Sequence, residues 1–333
     1  MSSTPTADEF ARDATWLVQA LDPSQGAARL VAMDRESYRA ASFLDDRMLK
    51  DPLDAQIVSW TAIEKAVSDD MRSDARWIFH IGHVGSTLVS RLVGELDGVL
   101  AIREPRLLRD LALTPADVRE RYVALAPRLM SRSFARTEVA CVKATSFASE
   151  IAPELVPIGE RALLMFATPR NYIGSILAGE NSLEEMRLLA GSRAQRLNSR
   201  QIYLPSQNDA GLAAAAWACE MTALEQAAEK MTDRQIFWAD FDQMLGDMEA
   251  ALSNVANFLG FDSGRASEVA HGPLVGRYSK ALEFEYGANL RRELIAETAE
   301  RFSSDIEHAL AMLSSGGEKS PLLDRALARA KES

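Results

Sequence analysis

Residues 77–92 read WIFHIGHVGSTLVSRL: a short apolar run enters a Gly-x-x-Gly-Ser-Thr turn at 82–87 and leaves as a helix whose Leu88, Leu92 and Leu96 recur every four residues. Such a turn presents the unpaired N–H groups of a helix's first turn, with the positive end of the helix dipole behind them. Its glycines let an anionic group approach the main chain. The pattern is that of a phosphate cradle. The Walker pattern of nucleoside-triphosphate sites needs Gly, four residues, Gly, Lys, then Ser or Thr. Here His80 takes the first glycine position and Ser86 the lysine position ahead of Thr87. The stretch therefore predicts a phosphate loop without the usual triphosphate chemistry.

On either side of this loop, short apolar runs alternate with helix-length segments. Runs at 77–81, 99–102, 138–142, 161–167 and 235–241 are apolar on both faces, as buried strands of a parallel sheet are. Parallel strands with right-handed helical crossovers give an α/β fold, a sheet flanked by helices, with ligand loops at the carboxyl ends of the strands. Residues 1–72 carry apolar side chains at helical spacing (Trp16, Leu17, Leu21; Phe43, Leu44) and are expected to form a helical N-terminal extension, with 73–333 as the α/β domain. The segment 178–206 is rich in arginine. Arg187, Arg193, Arg196 and Arg200 read either as part of a lid or, the favoured expectation, as a solvated helix face balanced by Glu180, Glu184 and Glu185.

Composition narrows the function. The 333 residues are 47% hydrophobic and 26% charged, with a net charge of −11. That balance argues against a nucleic-acid or anionic-membrane partner and requires any anion site to be a local positive pocket. Cys141 and Cys219 sit in apolar runs, so neither a disulfide framework nor a zinc site is expected, and no His, Cys and carboxylate cluster has metal-ligand spacing. The start, MSSTPTADEF, lacks a basic-then-apolar leader and no run is long enough to span a bilayer; the expected compartment is the cytoplasm.

On these blocks the chain resembles the P-loop sulfotransferases that use 3′-phosphoadenosine-5′-phosphosulfate (PAPS), as a divergent member. Their loop commonly reads Pro, Arg or Lys, then Ser-Gly-Thr-Thr. The resemblance sets His83 at the basic position and Gly85, Ser86 and Thr87 on Gly-Thr-Thr, and implies that His83, Val84, Gly85, Ser86, Thr87 and Leu88 hold the phosphosulfate without a metal. His83 either neutralises the leaving phosphate or only closes the turn. The stretch 167–175, ATPRNYIGS, resembles the family's Arg-Asp-Pro with a serine six residues beyond. Pro169 and Ser175 keep the spacing, Ala167 replaces the arginine, and Arg170 is the candidate to restore the 3′-phosphate contact. Residues 240–245, DFDQML, and 257–261, NFLGF, resemble a packing signature. The late loop at 276–280, with Arg277, Ser279 and Lys280, offers further phosphate contacts or is simply exposed.

The same resemblance implies an acceptor side. Glu104, after the second strand, is the candidate general base, or else an ion-pair partner of Arg103 or Arg106. Lys143, at the end of the third strand, resembles the lysine that other members carry there. His80 reads as a core or supporting residue. The implied reaction moves a sulfuryl group from PAPS to a hydroxyl or amine of a small-molecule or peptide acceptor, with His83, Glu104 and Lys143 as catalytic residues. A P-loop kinase and a non-catalytic nucleotide-binding protein are the alternatives.

Overall fold

All five apolar runs become strands of one sheet, and the computed structural model, which describes residues 5–47, 54–206, 208–277 and 287–331, orders them with the loop-bearing strand at the centre. Three strands precede them: β1 Trp16–Asp22, β2 Ala27–Ala32 and β3 Ala55–Ser59. The five are β4 Arg76–His80, β5 Val99–Arg103, β6 Val139–Lys143, β7 Arg161–Phe166 and β8 Gln235–Asp240. Their spatial order is β5-β6-β4-β7-β8, every neighbouring pair parallel. Trp77, Ile78, Phe79, Leu163, Leu164 and Val142 are buried, because helices cover both faces of the sheet. The carboxyl ends of β4, β5 and β6 open onto one edge, where a doubly covered parallel sheet leaves its crevice.

The expectation of a helical N-terminal extension is corrected. Helices Ala7–Arg12, Arg35–Ala40 and Trp60–Ala66 are present, but β1, β2 and β3 form an antiparallel three-stranded sheet. The spacing of Trp16, Leu17 and Leu21 suits a helix. Turn chemistry overrides it: Asp22 Oδ1 accepts from the Ser24 and Gln25 N–H groups, and Gly26 adopts φ +57°, reversing the chain into β2. One hydrophobic core joins Tyr38, Leu44 and Trp60 to Trp77 and Phe79.

Two buried arginines seal that junction. Arg103 donates Nε to the Ala41 carbonyl at 2.8 Å and Nη2 to the carbonyls of Tyr38 and Arg39. Burial, reinforced by Arg91, pushes its pKa down to about 9, so it stays charged at neutral pH against the carbonyl end of the Arg35–Ala40 helix. Arg132 likewise donates to Phe10 and Trp16 carbonyls, each at 2.7 Å.

The arginine-rich segment forms the Glu180–Ser199 helix, and its arginines do not make a solvated face. Arg187 alone of the four pairs at the surface, with Asp209. Arg193 and Arg196 converge on Glu220 of the Asp209–Lys230 helix, which is 0% exposed, and Arg200 pairs with Glu150. Burial alone raises the Glu220 carboxyl, but Arg196 and Arg193 more than offset it and hold the group below the usual carboxylate range. Its contribution is present above the unfolded carboxylate pKa and disappears as pH falls through the lower folded value. Glu220→Ala is expected to cost about 3–5 kcal/mol in urea unfolding at pH 7, because the buried Arg193 guanidinium loses its carboxylate partner and Arg196 keeps only Glu150. The difference from the wild type should narrow as pH drops below about 4, and a constant difference would show that ionisation of Glu220 is irrelevant.

Candidate active site

The bend between β4 and the Ser86–Val93 helix needs left-handed backbone at Gly82 (φ +80°), His83 (φ +53°) and Gly85 (φ +60°). Gly85 is constrained twice over, since a Cβ there would lie 1.9 Å from Cζ of Phe241. Gly85 is also the N-cap and has no side chain to cap with, so the first N–H groups of the helix receive no capping bond. Ser86 and Thr87 are buried in this first turn. Main-chain donors, two hydroxyls and the helix dipole therefore converge on one end of a cavity of about 590 Å³. Among the described residues, six lysines and arginines line that cavity against four carboxylates. The whole chain has 48 acidic residues against 37 basic ones, so the described lining is locally positive in an acidic protein.

Beside the loop, sheet register assembles a carboxylate and a lysine. Arg103 is in register with Lys143, so Glu104 leaves β5 next to the end of β6, and its N–H donates to the Lys143 carbonyl at 2.7 Å. Glu104 has φ +50°, an uncommon conformation that turns its side chain into the cavity. Its Oε1 forms an ion pair with Lys143 Nζ, and Lys143 is only 1% exposed. Its Oε2 lies 3.2 Å from Arg47 Nη2. Neither expected partner is used: Arg103 turns to the N-terminal carbonyls, and Arg106 pairs with Asp46 and Asp110. His80 reaches the same group, with Nε2 3.8 Å from Glu104 Oε1 and Nδ1 accepting from the Gly82 N–H at 2.9 Å.

His83 lines the cavity, but its ring also meets the Glu180–Ser199 helix. Nδ1 lies 3.4 Å from Ser182 Oγ and Nε2 3.7 Å from Glu185 Oε2, with Tyr172 edge-on. Val84, Leu88, Ser175 and Arg277 line the cavity with it. Ser279 and Lys280 lie outside the described residues. Arg170 does not join the cavity: it is 49% exposed and pairs with Glu307 at 2.6 Å. It lies five positions before Ser175 on the Pro169–Leu177 helix, about 140° round the axis, so the two face different ways. Ala167 is core, its carbonyl accepting from Trp217 Nε1 at 2.9 Å.

The arginine that does meet Ser175 went unread in the sequence. Arg291, on the Ala288–Arg301 helix, donates Nη1 to Ser175 Oγ at 3.2 Å and Nε to Asp242 Oδ1 at 2.8 Å. It is 3% exposed and lies over the Phe241 ring. Phe43 and Arg47, from the N-terminal segment, were also missed; they form a wall beside Glu104, the guanidinium 3.3 Å above the ring. Among the described residues, no group of three or more His, Cys, Asp or Glu gathers as metal ligands, and no helix is long and apolar enough to cross a membrane.

No protein-family model matches the chain, and no curated protein matches it in sequence. Among solved structures, the sulfotransferase domain from the curacin biosynthetic pathway is similar with a TM-score of 0.42 and 12% identity, covering 74% of this chain and 99% of that one. The sulfotransferase domain of the Synechococcus olefin synthase gives 0.40 and 13%, over 71% and 97%. A mouse sulfotransferase complexed with PAP gives 0.39 and 9%, over 77% and 89%.

Gly85→Ala is expected to destabilise the protein by about 2 kcal/mol or more, combining a left-handed alanine with a collision against Phe241. Thermal unfolding measures it, and an unchanged midpoint would mean that the bend is not built as described.

Proposed function

We propose that the cavity binds PAPS and that the protein transfers its sulfuryl group to a hydroxyl-bearing acceptor. One observation carries this reading: an uncapped, lysine-free anion loop shares a single cavity with a part-buried Ser175–Arg291 pair and a Glu104–Lys143 pair. A donor with phosphate at both ends of a nucleoside suits that layout. The loop amides with Ser86 and Thr87 would hold the phosphosulfate, while Arg291 and Ser175, with Arg277 at the rim, would hold the 3′-phosphate. Arg291 supplies from the C-terminal helices the guanidinium that Ala167 lacks. Its planar fork suits a phosphate, and its pairing with Asp242 fixes its direction.

Chemistry then needs little beyond positioning and charge. The acceptor oxygen attacks sulfur in line as the bond from sulfur to the bridging phosphate oxygen breaks; adenosine 3′,5′-bisphosphate (PAP) leaves. Glu104 takes the acceptor proton. Lys143 and the loop donors offset the charge that develops on the bridging oxygen. His83, joined to Ser182 and Glu185, ties the loop to the Glu180–Ser199 helix over the cavity. The acceptor would enter past Phe43 and Phe147 and be a small molecule or a peptide side chain. The free, buried thiols of Cys141 and Cys219 suit a reducing, cytoplasmic setting.

Calorimetric titration with PAP, beside ATP and magnesium, tests the donor. PAP is expected to bind and ATP with magnesium to bind at least tenfold more weakly; the reverse order would favour a kinase. Arg291→Ala should weaken PAP about 10–100-fold while shifting AMP, which lacks the 3′-phosphate, less than threefold. Equal losses for both ligands would remove Arg291 from the 3′-phosphate site. For the acceptor side, Glu104→Gln is expected to lower turnover by about 10²–10⁴ with little change in PAP affinity, and a parallel fall in affinity would argue against its role as base.

A further inference from the structure

We infer that His80 is a positioning residue that sets the anion loop and the Glu104 carboxylate from opposite sides of one ring. The ring is 5% exposed, lies at the carboxyl end of the central strand, and lines the cavity. Nδ1 accepts the Gly82 N–H at 2.9 Å, so that nitrogen carries no hydrogen and the neutral ring bears its proton on Nε2. Nε2 lies 3.8 Å from Glu104 Oε1, the oxygen that Lys143 also engages.

Two consequences follow from that tautomer. The Gly82 amide is committed to the ring, which holds the first left-handed residue of the bend and leaves anion binding to the amides beyond it. The carboxylate faces a hydrogen-bearing nitrogen rather than a lone pair, so His80 favours the rotamer in which Glu104 stays beside Lys143. Neither contact makes His80 a proton acceptor, since its lone pair is already engaged. The kinetic part of this inference rests on the proposed function; the ring's bond to the loop does not.

Two variants separate the two contacts. In His80→Asn the amide oxygen replaces Nδ1 as acceptor for Gly82 but nothing reaches Glu104. In His80→Gln the amide nitrogen replaces Nε2 and the loop bond is lost. Hydrogen exchange at the Gly82 amide, read by nuclear magnetic resonance without ligand, is expected to be similar in wild type and His80→Asn and about tenfold or more faster in His80→Gln. With PAP and an acceptor, His80→Asn should lose about tenfold in turnover while holding PAP affinity within threefold. His80→Gln should take its larger loss, about tenfold, in PAP affinity. Unchanged Gly82 exchange in His80→Gln, or equal losses of affinity and turnover in both variants, would overturn the inference. A wild-type chain that fails to bind PAP while Gly82 exchange responds as stated would instead overturn the proposed function and leave the ring's hold on the loop standing.

Discussion

The left-handed bend at the end of β4 admits no side chain at residue 85, because an aromatic ring occupies the space that a Cβ there would fill. Phe241 follows directly on β8, and β8 reaches β4 through β7, so the sheet itself delivers the ring to the loop. Asp240 Oδ1 accepts from the Asp242 N–H and fixes the turn that carries the ring. The same ring lies under the Arg291 guanidinium, whose other partners are Ser175 and Asp242. Both proposed phosphate sites thus share one rigid wall.

Buried arginine does comparable work on the opposite side. The last-turn carbonyls of the Arg35–Ala40 helix lack helical partners, and Arg103 and Arg91 supply the donors. A cation at a helix carbonyl end is favoured by the dipole and by direct hydrogen bonds, which offsets much of its desolvation. The N-terminal segment is thereby fastened to β5, and its 43–47 stretch lies across the strand ends. Phe43 and Arg47 reach Glu104 for that reason, although they belong to a region whose sequence points to no site.

The central sheet was legible because its strands are short, apolar on both faces and spaced by helix-sized segments; each structural strand falls within one or two residues of its run. The Gly-x-x-Gly-Ser-Thr turn was legible because positive-φ backbone ahead of a helix demands glycine. Glu104 and Lys143 were legible as residues just past and at strand ends, a place that parallel sheets turn toward their crevice. What failed were inferences from linear spacing. Trp16, Leu17 and Leu21 fit a helix, yet the Asp22 turn and pairing with β2 decide for strand. Arg170 is near Ser175 in sequence but on another face of their helix, whereas Arg291, 116 residues beyond Ser175, is its neighbour in space. Arg193 and Arg196 read as solvated until Glu220, on a different helix, is set between them.

The Glu104–Lys143 pair bears on how a base is kept ready in such a cavity. Both oxygens of this carboxylate are already engaged, Oε1 by Lys143 and Oε2 by Arg47. On the proposed function, a bound phosphosulfate gives Lys143 a second anion within the same pocket. Moving the ammonium from carboxylate to phosphate oxygen trades one charge-assisted hydrogen bond for another, so the buried cation is never left alone. The exchange would free Glu104 Oε1 from its ammonium partner only once the donor is in place. The arrival of the donor would therefore open one Glu104 oxygen to the acceptor hydroxyl, with a rotation of the Lys143 side chain and no movement of the sheet.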